Sequence, residues 1–125
     1  MNYLVGDIGN TFIKISILNH KFNIIKNYNI ATSKIYKKKK CNFFFKKILK
    51  GNLDKKVLFS SVVPNVYKII RYKLKREKFK TYEIKDLKIK KILRVNIKNL
   101  GQLGSDRIAN TIGANQNKNC LVIDF

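Results

Sequence analysis

The stretch YLVGDIGNTFIKISIL, Tyr3–Leu18, decides how this chain folds. Tyr3–Gly6 is short, apolar and β-prone, and Asp7-Ile8-Gly9-Asn10-Thr11 carries turn chemistry. From Phe12 the pattern alternates. Phe12, Lys14, Ser16 and Leu18 fall on one side, Ile13, Ile15 and Ile17 on the other. A period of two means a strand, so the stretch reads as strand, tight turn, strand. It contains one carboxylate, Asp7, at the end of its first strand. The whole chain has only seven acids against 28 lysines and arginines, so an acid placed there needs a reason.

Working outward, Asn19-His20-Lys21 suits a hairpin tip and Phe22–Ile30 a third strand, so a β-meander opens the fold. Lys37–Lys40 is a basic run expected in a solvated loop or at a helix start. In Asn42–Leu49, Phe44, Phe45, Ile48 and Leu49 recur at helical spacing, and Gly51-Asn52 ends that helix. Val57–Val63 reads as a buried strand bounded by Pro64. A helix over Asn65–Lys78 follows, then a short strand over Phe79–Ile84. Lys85–Leu100 is rich in Lys and Ile, and its pattern selects no element. LGQLGSDRIANTIGA supplies two glycines and then a helix from about Ser105; NCLVIDF reads as a final strand. A meander followed by helices alternating with single buried strands is an α/β pattern.

The 125 residues suffice for one domain with a hydrophobic core, and 45% hydrophobic content excludes a disordered polymer. No apolar run approaches the roughly 18 residues of a membrane span. Asp7 and Asn10 interrupt the apolar N-terminus, and no small-residue cleavage site follows, so no signal peptide and a cytoplasmic location are expected. Cys41 and Cys120 are far apart, without metal-ligand or redox spacing, and read as reduced thiols. The net charge of +21 would attract nucleic acid or an anionic membrane surface. The excess is mostly lysine, however, and travels with Asn, Ile, Phe and Tyr, the residues of A- and T-rich codons. Arginine, the better residue for bidentate phosphate and base contacts, is scarce. Codon bias therefore accounts for the charge better than a dedicated nucleic-acid surface does.

Four short motifs stand in order: DIGNT at Asp7–Thr11, SSVVP at Ser60–Pro64, GSDR at Gly104–Arg107 and VIDF at Val122–Phe125. Together they resemble the N-terminal portion of the type III pantothenate kinases, members of the actin-like kinase superfamily. DIGNT alone is a weak signal; four motifs at compatible spacing are a strong one. The resemblance runs the length of the chain and covers about the first half of a family member. Where the family usually has an aromatic residue before its G-x-D-R motif this chain has Ile97. Leu100 stands near the usual Pro, and Ser105 replaces the commoner Ala.

The resemblance implies an α/β fold of the RNase H-like, actin-like ATPase kind. Its mixed sheet opens with the meander and is flanked by helices. Residues 1–112 would form the first lobe with its phosphate loop, and 113–125 would begin a second, similar lobe. The implied activity is ATP-dependent phosphorylation of pantothenate to 4′-phosphopantothenate, the first step towards coenzyme A, with the present chain inactive alone. ATP phosphates would be bound by Asp7, Ile8, Gly9, Asn10, Thr11, Phe12, Ile13 and Lys14, and pantothenate by Gly104, Ser105, Asp106 and Arg107. Asp106 would be the proton acceptor, and Asp124 would ligate a monovalent cation, K⁺ or NH₄⁺. The full-length protein would be a homodimer.

Elementary chemistry is compatible with these roles. A carboxylate beside a glycine turn, Asp7, can hold a hydrated Mg²⁺. Gly9 lets the backbone approach phosphate oxygens, and kinase catalysis is mostly positioning and charge neutralisation. Asp106 can take a hydroxyl proton, and Arg107 can fork onto a carboxylate. Each has a plainer reading. Asp7 and Asn10 could satisfy only local backbone groups, Asp106 could complement a helix dipole, and Asp124 could simply end a strand. His20 is given no role; Ser60 and Ser61 have no accompanying nucleophile-activating pair and are read as flooring the cleft. Three other functions stay open: another small actin-like phosphotransferase, a non-enzymatic accessory relative of the family, and a basic nucleic-acid-binding module.

Overall fold

The computed structural model describes residues 1–96, 98–115 and 121. Its centre is a five-stranded mixed sheet, built from β1 (Asn2–Ile8), β2 (Phe12–Leu18), β3 (Ile24–Ala31), β4 (Leu53–Ser61) and β5 (Lys80–Glu83). The strand order is β3-β2-β1-β4-β5. The first three strands form the antiparallel meander, and β4 and β5 run parallel to β1. Parallel neighbours need long connections, and here they are helical: α1 (Lys38–Ile48) before β4 and α2 (Pro64–Arg76) before β5. After β5 come a single helical turn, α3 (Ile89–Ile92), and then α4 (Ser105–Ala114).

The alternation in β2 does what its period demands. Ile13, Ile15 and Ile17 are buried in one core with Leu4 and Ile8 of β1 and Val57 and Phe59 of β4. Helices α1 and α2 close that face with Phe44, Phe45, Ile48, Val66, Ile70 and Leu74. Each fully buried Ile, Leu or Phe of this kind contributes about 1.5–3 kcal/mol over the exposed side chain. Gly6 is required here by close approach: a Cβ on β1 at this position would overlap the ring of Phe59 on the neighbouring strand. The opposite face of the sheet carries Val5, Asp7, Lys14, Ser16, Leu58 and Ser60. A smaller cluster of Ile84, Ile89, Leu93 and Ile108 seats α4 beyond the end of β5.

Element bounds differ from the sequence reading at several elements. β1 runs to Ile8, so Asp7 and Ile8 are strand rather than turn, α2 spans Pro64–Arg76 and β5 spans Lys80–Glu83. The shifts are larger at α1, β4 and the third strand. Helix α1 starts at Lys38 rather than Asn42, so most of the basic run is helical; lysine is a good helix former, and Cys41 extends the buried stripe by one turn. Strand β4 starts at Leu53 and stops at Ser61, four residues earlier than the Val57 start and short of Val63. The third strand starts at Ile24, after a turn in which Phe22 adopts φ 60°. The final strand expected over NCLVIDF lies outside the described residues except for Leu121. Cys41 is buried against α2, and burial pushes its thiol pKa up, which keeps it protonated and unreactive. Among the described residues no helix is long and apolar enough to cross a membrane.

Candidate active site

The C-terminal ends of β1, β4 and β5 and the start of α4 meet around a cleft of about 470 Å³. Clefts at the carboxyl ends of strands are the usual ligand sites of open α/β sheets. One wall is sheet: Val5, Gly6 and Asp7 from β1, Lys14 and Ser16 from β2, Leu58 and Ser60 from β4. Ile84 and the helix side, Asp106, Ala109 and Asn110, form the rest. Two carboxylates far apart in sequence therefore line one cleft, and Lys14 lines it too. Asp7 is the register partner of both Lys14 on β2 and Ser60 on β4.

The β1–β2 turn, Gly9-Asn10-Thr11, is closed by the Gly9 N–H donating to the Phe12 carbonyl at 3.0 Å. It is tied down from outside itself. The buried hydroxyl of Thr32 donates to the Gly9 carbonyl at 2.8 Å, and the Thr32 N–H donates to the Thr11 carbonyl at 2.9 Å. Asn10 and Thr11 remain exposed. A turn held at two carbonyls while its side chains face solvent is preorganised to meet a ligand. Thr32→Val should remove the side-chain anchor and leave the Gly9 carbonyl underpaired. The expected cost is about 1–3 kcal/mol in chemical denaturation. Hydrogen exchange should rise in residues 9–12 before it rises in the β1–β4 core; uniform acceleration would mean that Thr32 serves the fold at large.

The candidate phosphate residues divide by burial. Ile8 and Ile13 are fully buried in the core, so only their main-chain atoms could reach a ligand. Asp7 and Lys14 present side chains to the cleft. Phe12 is about half exposed and lies outside the cleft lining. In GSDR, Gly104 is the N-cap of α4. A Cβ there would run into the Asp106 carboxylate, so glycine makes room for that side chain. The Arg107 N–H donates to Asp106 Oδ1 at 2.8 Å, which fixes one oxygen. Arg107 is exposed and not among the cleft residues, and Ser105 is buried. Asp124 lies outside the described residues.

Several residues at the site carried no sequence signal or a faint one. Asn110 stands one helical turn after Asp106, so its cleft position was legible from the i, i+4 spacing once α4 was placed. Thr32 could not be found in this way, since its role depends on β3 ending beside the first turn. Glu83 is similar. It ends β5, accepts from the Ser61 N–H at 3.3 Å and the Lys85 N–H at 2.7 Å, and so joins the end of β4 to the turn that carries Ile84.

The order of motifs, the sheet and the cleft meet in the comparisons with known proteins. A family model described as "Type III pantothenate kinase" matches residues 3–125. The chain belongs to the type III pantothenate kinase family. It is similar to the type III pantothenate kinase of Pelagibacter ubique strain HTCC1062, 38% identical over 124 residues, covering 98% of this chain and 50% of that protein. The enzyme of the same name from Kosmotoga olearia is 31% identical over 137 residues, covering 97% of this chain and 49% of its own. That of Thermosipho melanesiensis is 30% identical over 125 residues, covering 98% and 49%. The chain thus spans about half the length of the curated relatives it matches. The mixed five-stranded sheet with flanking helices is an α/β fold consistent with the actin-like ATPases.

Proposed function

We propose that this chain is the first lobe of a kinase that transfers the γ-phosphoryl group of ATP to the primary hydroxyl of pantothenate, giving 4′-phosphopantothenate and ADP. The observation that carries the reading is the convergence of Asp7 and Asp106 on one cleft. The pantothenate hydroxyl oxygen attacks the γ-phosphorus, the bond to the ADP oxygen breaks, and Asp106 accepts the hydroxyl proton. Asp7, Lys14 and the Gly9–Thr11 turn hold the phosphates, and Gly104–Arg107 holds pantothenate. In this reading the exposed Arg107 forks onto the pantothenate carboxylate.

The residues present fit a Mg²⁺ ion. Among the described residues no group of three or more His, Cys, Asp or Glu side chains could build a full protein cage. Mg²⁺ at phosphates needs none, since it takes one or two carboxylates and keeps several waters. Asp7 would hold it, and it would neutralise charge on the phosphates. In this reading a monovalent cation, K⁺ or NH₄⁺, is ligated by Asp124. The second lobe, begun by residues 113–125, supplies the remaining phosphate contacts, and the whole protein works as a cytoplasmic homodimer. Residues 1–125 alone then lack half the cleft and should not turn over.

The test is ATP-dependent phosphorylation of pantothenate by the chain extended through a second lobe, with residues 1–125 alone in parallel. Turnover confined to the extended protein, with saturable ATP and pantothenate binding, is the expected result. Salt-dependent DNA binding without saturable binding of either small molecule would replace the kinase with a nucleic-acid module. Turnover by the short chain would overturn the two-lobe arrangement.

A further inference from the structure

Two serines end β4 side by side, and only one is engaged. The Ser61 Oγ accepts from the Val63 N–H at 3.2 Å, shaping the exit of the strand. Ser60 is 8% exposed, and its Oγ is buried with no hydrogen-bond partner among the described residues. Leaving a hydroxyl buried and unpaired is unfavourable, so a buried orphan invites an explanation. Its position offers one. Ser60 lines the cleft, on the same sheet face as Asp7, its register partner on β1, and Asp106 of α4 lines the same cleft. The other buried hydroxyl without a partner among the described residues, Ser105, lies in α4 and is not among the cleft residues.

Taking the kinase reading as its basis, the geometry points to Ser60 as a phosphoryl-contacting residue whose hydroxyl donates to an oxygen of the γ-phosphoryl group in transfer. The argument is one of chemistry and place. The reacting group must pass between the phosphate side of the cleft, marked by Asp7 and Lys14, and the base Asp106. Two carboxylates there can accept protons or hold a cation, but neither can donate to an anionic oxygen when ionised. Ser60 supplies a neutral donor in the same cleft. Rotation about χ1 turns Oγ towards the cleft without moving the backbone. A donor aimed where charge develops acts on the transition state more than on bound substrate.

The experiment compares Ser60→Ala with wild type in the extended, two-lobed protein. In the ligand-free state the variant should be as stable as wild type or more so, because an unpaired buried hydroxyl has been removed. Its kcat should fall by about 10- to 100-fold, with KM for pantothenate little changed, the pattern of an interaction made in the transition state. Ser60→Thr, which keeps the hydroxyl, should recover part of the loss. Wild-type kcat in a stable alanine variant would overturn the assignment while leaving the kinase reading intact. A fall in stability accompanied by proportionate loss of folded enzyme and unchanged kcat per folded molecule would overturn it too. Absence of turnover in wild type would instead sink the kinase reading.

Discussion

Asp106→Asn, made in the two-lobed protein, is expected to lower kcat by roughly 10²–10⁴-fold, the usual range for loss of a positioned general base. The substitution is close to isosteric. Its amide oxygen can still accept the Arg107 N–H that now bonds Asp106 Oδ1 at 2.8 Å, so the first turn of α4 keeps its local geometry. What disappears is the capacity to take a proton. ATP affinity should stay near wild type, because the nucleotide phosphates are assigned to the opposite wall, at Asp7 and Lys14. Steady-state kinetics with a separate nucleotide-binding titration tests both halves. Near-normal turnover would return Asp106 to the plainer role of complementing the dipole of α4, which would be worth only about 0.3–1 kcal/mol.

The fold was legible wherever one face of an element is buried and the other is wet. Strand β2 is the clearest case, since its three core isoleucines alternate with Phe12, Lys14, Ser16 and Leu18 along seven residues. The start of α1 was left open between a loop and a helix start at Lys37–Lys40 because charge pattern and helix propensity disagree there. Lys38, Lys39 and Lys40 are exposed and add no apolar period, yet they propagate a helix whose stripe is set by Cys41, Phe44, Phe45 and Ile48. The N-terminal half of β4 was missed for a related reason. Asp54, Lys55 and Lys56 obscure a strand that the backbone ladder to β1 and β5 holds. The segment after β5 gave no pattern because it is broken into single turns, in which Ile84, Ile89 and Leu93 are buried.

The site was legible as motifs and not as geometry. Asp7 and Asp106 each stood out beside a glycine, but nothing local says that their side chains share a cleft. That follows from topology. The β1–β4 pair is parallel, so the ends of both strands point the same way, and α4 is seated across them by Ile108. The reading of SSVVP as a cleft floor anticipated Ser60 in general terms, but its orphan hydroxyl becomes visible only when every partner has been placed. Thr32 illustrates the limit of pattern reading. Its side chain holds a turn 23 residues away.

Asp7→Asn should also have a large effect, a loss in turnover of roughly 10³-fold, at the upper end of what removal of one electrostatic group at a transferring centre does. The reason lies in what the rest of the cleft can offer. The described cleft residues include one cation, Lys14, and one other carboxylate, Asp106, on the helix wall. Asparagine keeps the shape and an acceptor oxygen but no charge, so it could not take the proposed role of a carboxylate that would hold hydrated Mg²⁺ at the phosphates. The fold should tolerate the change. Asp7 is exposed at the end of β1, and the adjoining turn is anchored independently by Thr32. Exposed substitutions away from packed cores usually shift stability by no more than about 0.5 kcal/mol. Circular dichroism and thermal unfolding should therefore match wild type while the Mg²⁺ concentration needed for residual turnover rises. Full activity at ordinary Mg²⁺ would place the phosphates away from β1, and the lone acid at the end of the first strand would then be a turn residue and nothing more.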